Sequence, residues 1–91
     1  LTSVATYHQD VLLNHQCSTI SAEILRICRA SLSYDNFLSA CAPFLHRMMR
    51  QGAKRENVKG SLCKLFKRHF PTFSKYNLHK EQLVNKLIDL M

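Results

Sequence analysis

Residues 34–51 read YDNFLSACAPFLHRMMRQ, and their pattern decides the fold. Phe37, Leu38, Cys41, Phe44, Leu45, Met48 and Met49 recur at helical spacing and fill more than one face. A segment apolar on more than one side needs neighbours on more than one side, so it predicts the central helix of a bundle. Pro43 lies inside it and either kinks the helix or starts a new one, since proline is tolerated in a first turn. The end is well marked. Arg47 and Arg50 stand in the last turn, where cations favour the helix dipole. Gly52 follows, suited to a left-handed cap.

Upstream, Ile20, Ile24, Ile27, Cys28 and Leu32 form a stripe that predicts a helix over 20–32, with Arg26 and Arg29 off the stripe. Ser33 can cap the helix after it. Before it, the polar string HQCST (15–19) reads as a joint in which Ser18 or Thr19 caps the 20–32 helix. Residues 3–14 then read as a separate short helix with Val4, Tyr7, Val11 and Leu12 on one face. Downstream, Val58, Leu62, Leu65, Phe66 and Phe70 predict a helix over 55–70, ended by Pro71 because the residue before a proline avoids helical backbone. PTFSKYN (71–77) reads as a loop, and Asn77 can cap a last helix over 78–90 with Leu83, Val84, Leu87 and Ile88 inward.

Ninety-one residues make one domain, and two Gly and two Pro give little turn chemistry for a sheet. The expectation is a single all-α domain over 1–91, a small four- or five-helix bundle. The chain opens on Leu1 and reads as a piece of a larger polypeptide. No signal-peptide pattern is present, and no apolar run approaches the roughly 18–20 residues of a membrane span.

The residue inventory argues against catalysis. Cys17, Cys28, Cys41 and Cys63 contain no C-x-x-C pair, and none of the five histidines has a His or Cys three or four residues on. No metal site is expected. The six acids are scattered, and Gly52 and Gly60 do not make a phosphate loop. We therefore expect no catalytic residue and no cofactor. Reduced cysteines, two of them on apolar faces, suit the cytoplasm or nucleus.

Charge is the informative quantity. Residues 1–45 hold two Arg against three acids, whereas residues 46–91 hold eleven Lys and Arg against Glu56, Glu81 and Asp89, a net of +8. Eight of those cations lie between Arg47 and Arg68. A solvated face normally mixes Glu with Lys, so segregation of one sign points to a polyanionic partner. The candidate phosphate contacts are Arg47, Arg50, Lys54, Arg55, Lys59, Lys64, Lys67, Arg68 and Lys75. Phe73 and Tyr76 flank Lys75. They either stack on bases or pack beneath the last helix, and ordinary aromatic burial favours packing.

The string Glu23-x-x-Arg26-Ile27-Cys28-Arg29-Ala30-Ser31, then Phe37, an apolar stretch to Arg47, Arg50-Gln51-Gly52, Leu62 and a Lys/Arg-rich helix resembles a known region. It is similar to the helical segment that comes after the polymerase palm in some retroelement reverse transcriptases. The likeness spans residues 23–70, and the chain departs from the family at the joint, where Gln51-Gly52-Ala53 replaces an Arg-Gly-Tyr-like string. The resemblance implies a thumb-like bundle gripping a duplex or RNA–DNA hybrid, as part of an RNA-directed DNA polymerase whose catalytic acids lie elsewhere. It carries Arg47, Arg50 and the basic helix as backbone contacts.

The expected function is thus a non-catalytic module that binds nucleic acid through its phosphates. Two alternatives share the same residues. One is a helix-turn-helix DNA reader built from 34–51 and 55–70. The other is a protein-interaction bundle whose basic face docks an acidic partner.

Overall fold

The structure, a computed structural model, describes the backbone of residues 3–76 and 79–91, and side chains from Asn14 onward except at 77 and 78. Its elements are α1 (Ser3–Ala30), α2 (Tyr34–Arg50), α3 (Arg55–Arg68), the single turn α4 (Phe70–Phe73), a 3-10 turn (Ser74–Tyr76) and α5 (Lys80–Asp89). The described residues contain no strand, and the all-α expectation holds. α3 packs between α1 and α5, while α2 lies across the same two helices. The molecule measures 49 × 25 × 20 Å, and the 28-residue α1, about 42 Å at helical rise, sets the long axis.

The expected joint at 15–19 is a correction, because α1 runs through it without a break. The string holds no Gly or Pro, so nothing in the backbone forces a stop. The Thr19 hydroxyl donates to the carbonyl of His15 at 2.9 Å, an intrahelical bond rather than a cap. Ser18 likewise sits inside the helix. The expected face of Val4, Tyr7, Val11 and Leu12 lies outside the described side chains, and the Asn77 cap lies outside the described residues.

Both ends of α2 form as their residues predict. Ser33 accepts the Asn36 amide at 3.1 Å, and Ser33 has extended backbone, as an N-cap requires. At the other end Gly52 has φ +92°, the Gly52 amide donates to Met49 and the Ala53 amide donates to Met48. This is the Schellman arrangement, closed by burial of Ala53. Pro43 neither ends nor restarts the helix. It stays within α2 with its ring exposed to solvent.

One core joins all the helices. It contains Ile20, Ile24, Ile27 and Cys28 of α1, Phe37, Cys41, Phe44, Leu45 and Met48 of α2, Val58, Leu62, Leu65 and Phe66 of α3, and Leu83, Val84, Leu87 and Ile88 of α5. Two stripe positions are corrections. Leu32 is 97% exposed, because α1 stops at Ala30 and the next turn swings it off the stripe. Phe70 is 43% exposed, because the helix breaks at His69, before the proline, and Pro71 then falls in the first turn of α4.

The 71–77 loop is another correction, since most of it is helical, and Phe73 rather than Phe70 enters the core. Phe73 meets Phe66 edge-on at 4.4 Å between centroids and Phe37 at 6.2 Å. Tyr76 stacks obliquely on Phe37 at 5.1 Å and on Tyr34 at 5.6 Å. At the start of α5 the His79 amide donates to Gln82 Oε1 at 3.2 Å, and the His46 Nε2–H donates to the Leu90 carbonyl at 2.5 Å, tying α2 to the end of α5.

Phe66→Ala should cost about 3–5 kcal/mol of unfolding free energy, since it empties a fully buried site in the aromatic row. Phe70→Ala should cost less than about 1 kcal/mol. Urea denaturation followed by circular dichroism measures both; equal losses would contradict the break at His69.

Candidate nucleic-acid interface

α3 fixes the geometry of the basic residues. Its stripe of Val58, Ser61, Leu62, Leu65 and Phe66 is buried against α1 and α5, so every other position except the half-buried Asn57 faces outward. Those positions are Arg55, Lys59, Lys64, Lys67 and Arg68, together with Glu56, Gly60 and Cys63. All five cations are exposed. Four of them fall into two rows. Lys59, Cys63 and Lys67 rise at successive fourth positions along the α5 side, and Lys64 and Arg68 rise along the α1 side.

The α5-side row lines an open groove of about 450 Å³, completed by Lys80, Glu81, Val84 and Asn85. The Lys80 ammonium lies 5.2 Å from the centroid of the exposed Phe70 ring, a cation–π contact that holds it at the groove edge. The α1-side row lines a second groove of about 380 Å³ with Cys17, Ser18, Ser21, Leu65 and His69. Glu81 is the one acid on either lining.

Lys54 and Arg55 stand at the N-terminus of α3, where Lys54 is the cap residue and gives no side-chain hydrogen bond. That end of a helix carries partial positive charge and favours anions, so two cations there are electrostatically misplaced in the isolated domain. Arg50 is exposed at the end of α2, four residues before Lys54.

Arg47 points elsewhere. Its guanidinium lies 5.7 Å from the Phe44 ring centroid. It also contributes to holding the Glu23 carboxyl below the usual carboxylate range, an effect owed chiefly to the hydrogen bond from Arg26. Arg47 therefore belongs to the α1–α2 side with the Arg26–Glu23 pair, away from the α3 rows. The Arg26–Glu23 contact is the only ion pair among the described residues. Because the Glu23 pKa is lowered on folding, whatever stability the pair lends is present above the unfolded pKa and lost as pH falls through the folded one.

Lys75 is also diverted from the expected interface. Its ammonium donates to the Cys28 carbonyl at 2.5 Å and the Ser31 carbonyl at 2.9 Å. Those acceptors are at the C-terminus of α1, where a cation is favoured. The stacking role weighed for Phe73 and Tyr76 gives way to packing: Phe73 is 1% exposed, and the Tyr76 hydroxyl oxygen is buried with no hydrogen-bond partner among the described residues. Burial accordingly pushes the Tyr76 phenol up. The aromatic left open beside the cations is Phe70.

Sequence reading thus missed Phe70 and Lys80 as members of the basic surface. Lys80 was visible in the charge count but lies on another helix. Phe70 was masked by its helical spacing to Phe66, and only the break at His69 releases it.

The thiols divide by environment. Cys28 and Cys41 are buried, as their positions on apolar faces suggest, and desolvation pushes Cys41 up to about 12. Cys63 is exposed within the α5-side row. No three His, Cys, Asp or Glu side chains among the described residues come together as a metal cluster. No described helix is long and apolar enough to cross a membrane.

No protein family, curated protein or solved structure matches the chain.

Lys75→Met should lower unfolding free energy by about 1–2 kcal/mol through loss of its two charge-assisted bonds. For any duplex the domain binds, the variant's affinity should stay within about twofold of wild type with the salt slope unchanged, since the ammonium is engaged by the carbonyl end of α1. Thermal denaturation and fluorescence anisotropy measure the two effects. A lowered salt slope with unchanged stability would return Lys75 to the interface.

Proposed function

We propose that this chain is a non-catalytic module that grips the phosphate backbone of nucleic acid with the outward face of α3 and the adjoining edges of α1 and α5. The observation that carries the reading is the set of exposed cations on α3 that find no acidic partner among the described residues. A helix kept for solubility would set Glu four residues from Lys, and here Lys64 is followed at that spacing by Arg68 and Arg55 by Lys59. Like charges so placed destabilise a helix unless a polyanion neutralises them.

The uncapped start of α3 supports the same reading. Its first-turn amides, together with Lys54 and Arg55, form an anion-favouring end that a phosphate would satisfy. Such contacts position a strand but read no sequence. The two rows run the length of one helix, which suits an extended charged chain better than a compact ligand. Within the thumb-like reading suggested by residues 23–70, this face would lie along the template–primer duplex of a polymerase-like parent protein. The contact set is Arg50, Lys54, Arg55, Lys59, Lys64, Lys67 and Arg68, joined by Lys80.

Anisotropy titrations with two unrelated 20-base-pair duplexes between about 50 and 200 mM KCl test the proposal. Binding should be equal for both sequences and weaken linearly on a log–log plot. Lys59→Gln and Lys67→Gln should each reduce the salt slope by about one. Strong preference for one duplex would favour a helix-turn-helix reader. No binding at low salt, with capture of an acidic peptide instead, would favour a protein-docking face.

A further inference from the structure

The two grooves flanking α3 differ in chemistry. The α5-side groove offers lysines around an acid, Glu81, whereas the α1-side groove sets neutral hydroxyls opposite cations and has no acid in its lining. We infer that the α1-side cleft is a seat for one phosphate group, with Lys64 and Arg68 supplying charge and Ser18 and Ser21 supplying directed hydrogen bonds. This inference rests on the phosphate-gripping reading for its biological ligand, and it names where a phosphate is held in a fixed place rather than merely attracted.

The placement of two hydroxyls opposite two cations in one cleft carries the inference. Thr19, Ser31 and Ser61 all donate to the carbonyl four residues back, the usual resting place of a helical hydroxyl. Ser18 and Ser21 of α1 make no such bond among the described residues, nor does Ser39 of α2, so it is their place opposite Lys64 and Arg68 that sets them apart. They lie three apart on α1 and face Lys64 and Arg68, four apart on α3. Each hydroxyl keeps its proton available to donate. Arg68 adds a planar fork that can bond two oxygens of one phosphate.

The cleft is also held at a set width. The Ser61 hydroxyl lies 2.8 Å from Cys17 Sγ and 2.9 Å from the Asn57 carbonyl. A hydroxyl has one proton and two lone pairs, so Ser61 donates to Asn57 and accepts the weak donor of Cys17. This contact pins α1 to α3 one turn from Ser21 and Leu65. His69, half-buried at the far end, gives the cleft a further ring nitrogen. Donors held by packed helices lose less freedom on binding than lysines on an open surface.

The variant that isolates the seat changes no charge. Ser18→Ala and Ser21→Ala together suit a helix interior, so unchanged helicity and melting temperature establish that the fold is kept. In wild type, inorganic phosphate at constant ionic strength should shift the amide resonances of Ser18, Ser21, Lys64 and Arg68 and leave those of Lys59, Lys67 and Lys80 nearly still. The double alanine variant should lose these shifts and bind duplex about tenfold more weakly or worse, with the salt slope unaltered, because hydroxyl bonds to a charged group are lost while ion release is not.

If the double variant binds phosphate and duplex like wild type, the seat is wrong while the backbone reading stands. Phosphate shifts spread evenly over both rows overturn it equally. If wild type shows the localised phosphate shifts but no duplex binding, the seat stands for free phosphate and the nucleic-acid reading fails.

Discussion

Burial of a single stripe of α3 against two helices at once is the constraint that shapes the rest of the surface. Val58, Leu62, Leu65 and Phe66 must face α1 and α5 together, and a helix held on two sides keeps only its outer arc for solvent. Five of the outward positions are Lys or Arg. The same packing that stabilises α3 therefore displays its cations, and no rotation of the helix could hide them without exposing Phe66. The apolar stripe and the charge pattern are one specification.

The corner after α3 secures that orientation. Phe66, Phe73, Phe37 and Tyr76 form a row of tilted and edge-on contacts from α3 through α4 to α2. Lys75, in the same short turn, caps the carbonyl end of α1. The segment thus closes the bundle by two means, aromatic packing inside and a charged hydrogen-bond clamp outside. The Lys75 contact shows why a count of cations overstates an interface: its charge is used on the helix dipole of its own domain.

The fold was largely legible where punctuation was strong. Ser33 and Gly52 bound α2 because each supplies a backbone need that few other residues meet. The α2, α3 and α5 stripes were legible because burial at helical spacing leaves a periodic trace. The misreadings came where polarity stood in for a backbone signal. HQCST was polar but contained no breaker, so the cooperative hydrogen-bond ladder of α1 carried through. Leu32 and Phe70 kept the spacing of their stripes past the points where the helices stop, and spacing alone does not register an end. The candidate surface was half legible. Charge density marked α3, but the diversion of Arg47 and Lys75 and the recruitment of Lys80 depend on which helices meet, which no local pattern encodes.

The distribution of charge along α3 conflicts with what an isolated helix would choose. Lys54 and Arg55 sit at the positive end of the dipole, and Arg55–Lys59 and Lys64–Arg68 place like charges on adjoining turns, each at a cost of about 0.2–0.5 kcal/mol. A domain of this size has modest stability to set against such terms. Solubility would be met as well by lysines distributed over residues 1–45, which instead carry a slight negative excess. Local rules are broken in one helix, all with the same sign, and that helix is wedged so that its cations cannot turn away. A polyanion lying along α3 removes every one of these penalties together, whereas a single acidic side chain of a partner would relieve only one or two.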